Sequence, residues 1–465
     1  MTTTKLSFCR LCESACGIKV RVDDNRVTKI EPDEQHPVTR GYACVKGVRF
    51  GSFHHSPDRI TAPQKRIGDR WESISWEQAL SEIGQKMRRL IDREGPDSVA
   101  LYTGSPMAYN FTATMMQNAL VEAIGTRSLY GAGSQDCNNK FLAQLHMYGS
   151  PFRIPFPDLQ HTQLLIMIGA NPVISQGTFV RTPRSAGLLR DITSRGGRVV
   201  HVNPRRTESA RASGEQVFLR PDADVFFMLG LLRELIHNGG VDHARVLKHM
   251  RGFDVLARLA EDWSLERCEK VTGVPVQTMR ELAAAHRDAE RAVLYCGTGL
   301  NQGTHGTLAF WILECINAVS GNLDRRGGTL VGEGMYDVAS FLKKAGKLER
   351  EDRTRVDGMP SVNDTFPAGV LADEILTPGE GRVRALFNIG GNPLLTCPNG
   401  AGKLTEAFED LELLVSIDLF RNESANLAHY ILPTTSFLER PDLPMVLHWM
   451  AGTGAEHCVQ YTDKV

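Results

Sequence analysis

Near its amino terminus the chain reads Cys9-Arg10-Leu11-Cys12-Glu13-Ser14-Ala15-Cys16, and a fourth cysteine follows in Gly41-Tyr42-Ala43-Cys44-Val45-Lys46-Gly47. The spacing is C-x2-C-x3-C-x27-C. A [4Fe–4S] cluster needs four converging thiolates, three from one tight loop and the fourth from a later element. A structural zinc site shows paired C-x2-C knuckles instead, which the three-residue middle gap and the solitary Cys44 do not match. Disulfides fit less well still. Residues 1–6 carry neither an apolar signal core nor a twin-arginine pair. The other cysteines (Cys137, Cys268, Cys296, Cys315, Cys397 and Cys458) are scattered, a usage that suits a reducing, cytoplasmic compartment. A cluster relays single electrons. Built at the edge of a large α/β body, it implies an electron-transfer enzyme.

The body is large enough. At 465 residues the chain has room for about three domains. Lys and Arg number 53 against 54 Asp and Glu, a net charge of −1. That balance argues against nonspecific binding to nucleic acid or membranes. Apolar runs such as 164–170 and 225–232 fall well short of the roughly 18 residues that cross a bilayer.

Outward from the cysteines, residues 1–60 form a small module that closes on His54-His55-Ser56-Pro57-Asp58-Arg59. Apolar periodicity predicts helices over 76–93 and 111–124. Ser75 is placed to cap the first, and Gln78 to complete a capping box. Short apolar strands then alternate with helices: 98–103, 163–168, 198–202, 291–295, 384–387 and 411–417. This alternation predicts an α/β fold with mainly parallel, doubly wound sheets. Residues 335–365 are polar and charged and read as an excursion or exposed linker.

The strands end in informative residues. The run 163–168 leads into Gly169-Ala170-Asn171-Pro172, and 384–387 leads through Asn388 and Ile389 into Gly390-Gly391-Asn392-Pro393. Others end at Asn203-Pro204-Arg205-Arg206, at Gly297 and at Asp418. Ligands of open α/β sheets bind beyond the carboxyl ends of strands, where glycine admits a phosphate and a helix N-terminus favours its charge. Singly, these segments are ordinary turns. As a set, Asn171, Asn203, Arg205, Gly297, Asn392 and Asp418 predict a nucleotide-bearing cofactor held by two related half-sites. No G-x-G-x-x-G follows a strand, so an ordinary NAD site is not expected. His54, His55, His146 and His305 share no metal-ligand spacing and read as surface or core residues.

Together these stretches resemble the molybdopterin oxidoreductase family, whose members hold molybdenum or tungsten between two pyranopterin guanine dinucleotides. The resemblance extends through 57–60, the helix entry at 75–79, Gly321-Asn322-Leu323-Asp324-Arg325-Arg326-Gly327-Gly328, and Asn422-Glu423-Ser424-Ala425 leading to Leu432-Pro433. It implies a [4Fe–4S] cluster on Cys9, Cys12, Cys16 and Cys44, with Lys46 helping electrons cross between cluster and pterin. It also implies a metal ligand in Gly133-Ser134-Gln135-Asp136-Cys137-Asn138, ahead of Tyr148-Gly149. The family's spacing back from Gly149 falls on Asp136, with Cys137 as the alternative. A carboxylate suits harder metal states and a thiolate softer ones. The bland alternative is that Asp136 caps a helix and Cys137 packs.

Formate dehydrogenases of the family follow their ligand with histidine. Here Asn138 follows Cys137, which argues against formate while leaving a formate-dehydrogenase-like label. The expected domains are the cluster module 1–60; a first α/β pterin-binding domain over 61–130 and 330–440; a second over 131–329; and a tail over 441–465. The tail stands where family chains continue into a C-terminal domain, so the chain reads as an amino-terminal portion. The implied function is a catalytic redox subunit with a small-molecule substrate and an electron-acceptor protein. The alternatives are a non-catalytic electron-wiring scaffold related to the large NADH dehydrogenase subunit, an inactive fragment, or non-redox chemistry such as hydration at tungsten.

Overall fold

Residues 1–332, 334–344, 350–444, 452–454 and 458–465 are described by a computed structural model of the chain. The chain divides into two units. The first comprises 1–138, 340–446 and 459–465, and the second 139–339 and 447–458.

The first unit opens with an antiparallel three-stranded sheet of Thr3–Phe8, Gly17–Asp23 and Arg26–Pro32. Its small core joins Cys9, Cys16, Ile18, Val20, Ile30 and Phe50 to Phe437 and Leu438. Val465 returns to this region, its amide donating to the Leu438 carbonyl. The main sheet of the unit has eight strands, ordered Phe366–Pro367, Leu129–Gly131, Val99–Thr103, Ala385–Ile389, Leu413–Asp418, Tyr430–Pro433, Gln64–Ile67 and Arg70–Ser73. The first six are parallel and the terminal hairpin is antiparallel. Alternate residues feed opposite faces. Ala100, Tyr102, Leu386 and Leu414 enter one core, and Val99, Leu101, Ala385 and Leu413 the other. This two-sided burial explains why the strands read as continuous apolar runs.

Helix Trp76–Glu94 begins as expected, with Ser75 Oγ accepting from the Gln78 amide at 3.1 Å. The capping box does not close, because Gln78 Nε2 donates to Glu82 Oε1 one turn on. Helix Phe111–Ile124 ends at Gly125 in the left-handed region, φ +76°. The excursion is partly ordered by charge: Arg350 pairs with Asp352 at 2.7 Å and Asp364 at 3.0 Å, bracing 350–364.

In the second unit four parallel strands run in the order Glu215–Val217, Arg198–Val202, Leu164–Ile168, Ala292–Cys296. Here too the strand faces separate: Leu164, Ile166 and Ile168 pack into one core, Leu165 and Met167 into another. Helices Asp224–His237, Val276–Asp288 and Gly306–Val319 supply the larger core. The fold is α/β with mainly parallel sheets behind an amino-terminal cysteine module. No helix among the described residues is long and apolar enough to cross a membrane.

Candidate functional site

The cysteine loop closes on itself. The Cys9 amide donates to the Cys16 carbonyl at 2.8 Å, and the Ala15 amide to the Cys12 carbonyl at 3.2 Å. The Gly17 amide donates to Thr39 Oγ1 at 3.2 Å, drawing in the segment that leads to Cys44. A Cβ on Gly47 would stand 3.3 Å from Cys9 Sγ, so the turn after Cys44 rests on the first thiol. Burial pushes Cys9 up to about 12, and the neighbouring Cys12 and Cys44 charges add to it. Cys16 is raised by burial and then by all three of the others. The four thiols therefore share one electrostatic neighbourhood. Yet no three His, Cys, Asp or Glu among the described residues close on a single-ion site. Desolvated thiols that repel one another fit a group that takes them as thiolates. Lys46 is exposed on the one-turn helix Val45–Val48.

The loop holding Asp136 and Cys137 belongs to the same unit. Gly133–Asp136 is a single helical turn, and Cys137 is its C-cap residue. Asp136 is the last residue of that turn. Ser134 Oγ accepts from the Ala368 amide at 3.2 Å. Gln135 Oε1 accepts from Cys397 Sγ at 3.8 Å, and Cys397 in turn lies 3.6 Å from the Tyr102 hydroxyl. The Tyr109 phenol, shifted upward chiefly by burial, feels Glu13, Cys12, Asp136 and Cys137. One tyrosine therefore lies within electrostatic reach of both the cluster loop and the Asp136–Cys137 loop.

The strand ends form two cradles, one in each unit, built alike. In the second unit the Gly169 amide donates to the Val202 carbonyl at 3.0 Å, and Gly299 to the Gly169 carbonyl at 3.0 Å. Gly169 has φ +58°, and a Cβ on Gly299 would stand 2.6 Å from the Gly169 oxygen. In the first unit the Gly390 amide donates to Ile417 O, and Gly104 to Ile389 O, both at 2.9 Å. Gly390 has φ +59°, and a Cβ on Gly104 would stand 2.0 Å from its oxygen. Each glycine pair lies where strand order reverses, between Leu164–Ile168 and Ala292–Cys296 or between Ala385–Ile389 and Val99–Thr103. That is where open α/β sheets bind nucleotides. Gly297, buried, opens the loop after Ala292–Cys296.

The asparagines are loop fasteners. Asn171 Oδ1 accepts from the Ser209 amide (3.1 Å) and Oγ (2.8 Å), and its Nδ2 donates to Glu208 (2.7 Å). Asn392 Oδ1 accepts from the Ser424 amide (3.1 Å) and Oγ (2.9 Å), and its Nδ2 donates to Glu423 (2.5 Å). The serine hydroxyls also accept from the Val173 and Leu394 amides, each at 3.1 Å. Of these partners, Glu423 and Ser424 lie in a stretch that the family resemblance covers, whereas Glu208 and Ser209 were not singled out in the sequence. Their signal is a repeat, Thr207-Glu208-Ser209-Ala210 against Asn422-Glu423-Ser424-Ala425. The N-caps Thr207 and Asn422 accept from Ala210 and Ala425 at 3.1 and 2.9 Å.

The cradles differ in charge. Aligning the repeat pairs Asn203 with Asp418 and Arg205 with Phe420. Asn203 Oδ1 accepts from the Arg205 amide at 3.4 Å, and Arg205 pairs with Glu208 at 3.1 Å. Asp418 accepts from the Leu419 amide at 2.6 Å and from Asn422 at 3.0 Å, and burial raises its carboxyl despite those donors.

The Molybdopterin oxidoreductase Fe4S4 domain matches residues 2–56, and Molybdopterin oxidoreductase matches 59–448. The chain is 26% identical to the probable oxidoreductase YyaE of Bacillus subtilis, over all of this chain and 66% of that protein. It is 24% identical to the F420-dependent formate dehydrogenase subunit alpha of Methanocaldococcus jannaschii, over 93% of this chain and 64% of that protein. Acetylene hydratase from Pelobacter acetylenicus shares the fold, with a TM-score of 0.82 at 21% identity, covering 94% of this chain and 64% of that one. The chain thus spans just under two thirds of the length of these relatives. With an Fe4S4 domain ahead of a long pterin-binding match, it belongs to the molybdopterin oxidoreductase family.

Proposed function

We propose that the chain is part of a catalytic, formate-dehydrogenase-like redox subunit in which electrons from a small-molecule substrate pass from a molybdenum or tungsten centre to the cluster, then to an acceptor protein. The cofactors of this reading are a bis-molybdopterin guanine dinucleotide and one [4Fe–4S] cluster. When bound, the metal–pterin unit supplies two-electron chemistry and the cluster a one-electron relay.

The chain's own residues divide the work. Cys9, Cys12, Cys16 and Cys44 hold the cluster. Lys46, two residues past Cys44 and exposed, offers a mobile positive charge toward the more negative reduced states. Asp136 or Cys137 ligates the metal, and Gln135 and Ser134 fix their loop. Gly169 with Gly297 and Gly299, and Gly104 with Gly390, let backbone amides approach phosphates. Asn171 and Asn392 hold those loops in shape rather than contacting ligand through their amides. Asp418 stands at the strand end where an acidic residue accepts from nucleoside hydroxyls, and Arg205 at the matching place offers a cation to an anion. Formate is the substrate named for one relative, but Asn138 follows Cys137 here, so the reading commits to no particular substrate.

The observation that carries the reading is the doubling of the cradle behind a four-thiol module. Its test is metal analysis of anaerobically purified protein. About four irons, as one cubane requires, together with molybdenum or tungsten and pterin, are expected. Iron without heavy metal or pterin would overturn the catalytic reading and favour an electron-wiring scaffold. Turnover that proceeds without any electron acceptor would point to non-redox chemistry.

A further inference from the structure

Arg10 stands between the first two cluster cysteines, yet it is only 6% exposed. Its guanidinium lies between the rings of Phe8 and Phe437, 5.0 and 5.1 Å from their centroids. Nη2 donates to the Phe437 carbonyl. Nε and Nη1 are buried with no hydrogen-bond partner among the described residues. Asp442 Oδ2 is 3.9 Å from Nη1, beyond hydrogen-bond reach.

Asp442 is shared. Its side chain is 1% exposed, and Oδ2 pairs with Arg440 at 3.1 Å. Its Oδ1 accepts from the Phe111 and Leu443 amides at 3.2 and 2.9 Å. Arg440 also donates to the Tyr109 carbonyl at 3.0 Å. Two guanidiniums thus share one carboxylate in a water-poor region, leaving one net positive charge. An arginine guanidinium stays protonated in proteins, so Arg10 carries its full positive charge here. It also lies within electrostatic reach of the Cys9 thiol.

A buried cation without a full counter-charge is costly unless an anion answers it. A cluster bearing four thiolates is such an anion, and each reduction adds one negative charge with no bond made or broken. Cluster potentials respond to net charge, hydrogen bonds to sulfur and exposure. We propose that Arg10, backed by Arg440 and Asp442, is an electrostatic tuning site that raises the reduction potential of the cluster. Glu13, buried beside Cys12, acts in the opposite sense, and exposed Lys46 acts in the same sense but is screened by water. The inference rests on the cluster reading above.

The test is a redox titration of the full chain, reduced with dithionite and followed by electron paramagnetic resonance, with iron counted in every variant. Arg10→Met is expected to lower the midpoint at least tenfold in the reduction equilibrium, about 59 mV for one electron. Asp442→Asn keeps an acceptor for the two amides and is expected to raise the midpoint by a similar factor. Arg10→Lys keeps the charge and is expected to stay within threefold of wild type. Iron-replete Arg10→Met and Asp442→Asn with unmoved midpoints overturn the proposal alone. If Arg10→Met loses its iron, Asp442→Asn decides: a raised midpoint supports the proposal and an unmoved one overturns it. A wild-type chain without iron overturns the cluster reading and this proposal together.

Discussion

The two cradles share a backbone and differ in chemistry. Each sets a glycine with φ near +60° at a strand end, presses a second glycine against it, and locks the loop with an asparagine bridged to a glutamate–serine pair. Beyond that shared frame one cradle presents Asn203 and Arg205, the other Asp418 and Phe420. The parts that shape the backbone are held in common, because close approach and a left-handed turn leave few solutions. The residues beyond that frame are free to differ, because no backbone contact constrains them to one type.

The sharpest break of this likeness is steric. Gly104→Val and Gly299→Val push atoms into backbone oxygens, and each is expected to destabilise its own unit by about 3 kcal/mol or more. Gly84→Ala, in a helix with open space around it, is the control and should be neutral or stabilising. Thermal unfolding with residue-resolved hydrogen exchange checks this. If only one of the two valines matters, the cradles are not equivalent.

Acid probes the units next. His286 in the second and His429 in the first are each lowered to about 4, chiefly by burial. Both ring nitrogens of His286 lack partners among the described residues, while His429 Nδ1 accepts from the Leu414 amide at 2.9 Å. A depressed folded pKa means that this stability is complete above the ordinary value near 6.5 and lost as pH falls toward 4. For His286 the loss reaches up to about 3 kcal/mol at full protonation, and less for the more solvated His429. Urea unfolding at pH 7 and pH 4.5 should show it, and His286→Leu should remove the share of the second unit.

The clamps come third. Asn171→Ala and Asn392→Ala each remove several part-buried hydrogen bonds and are expected to cost about 2 kcal/mol. Amide exchange at Val173 or Leu394 reports which loop opened, and equal losses sharpen the comparison. The smallest effect is expected from exchanging the residues beyond the frame. Asp418→Asn should weaken GMP binding to the cofactor-free chain about tenfold, or ~1.4 kcal/mol, as read by calorimetry. Unchanged binding would remove Asp418 from the nucleotide site.

Much of this architecture was legible. The cysteine spacing pointed to the module, and continuous apolar runs pointed to sheets covered on both faces. Glycine and Asn-Pro after those runs marked the strand ends. The pairing of each asparagine with its glutamate and serine was not read, although the repeated Glu-Ser-Ala was present, because a hydrogen bond across more than thirty residues leaves no local periodicity. The excursion read as a linker because its arginines meet their carboxylates only in three dimensions. No signal in the sequence marks Arg10 for burial, since arginine is rarely buried.

What can be read along the chain is local and periodic: thiol spacing, strand and helix alternation, and the glycines that turns require. These follow from backbone sterics and side-chain alternation, which act over a few residues. What each polar group faces emerged from the folded chain. It set Arg10 against Asp442, Asn171 against Ser209, and Gln135 against Cys397. Burial and long-range pairing set those energies, and both depend on neighbours that are distant along the chain.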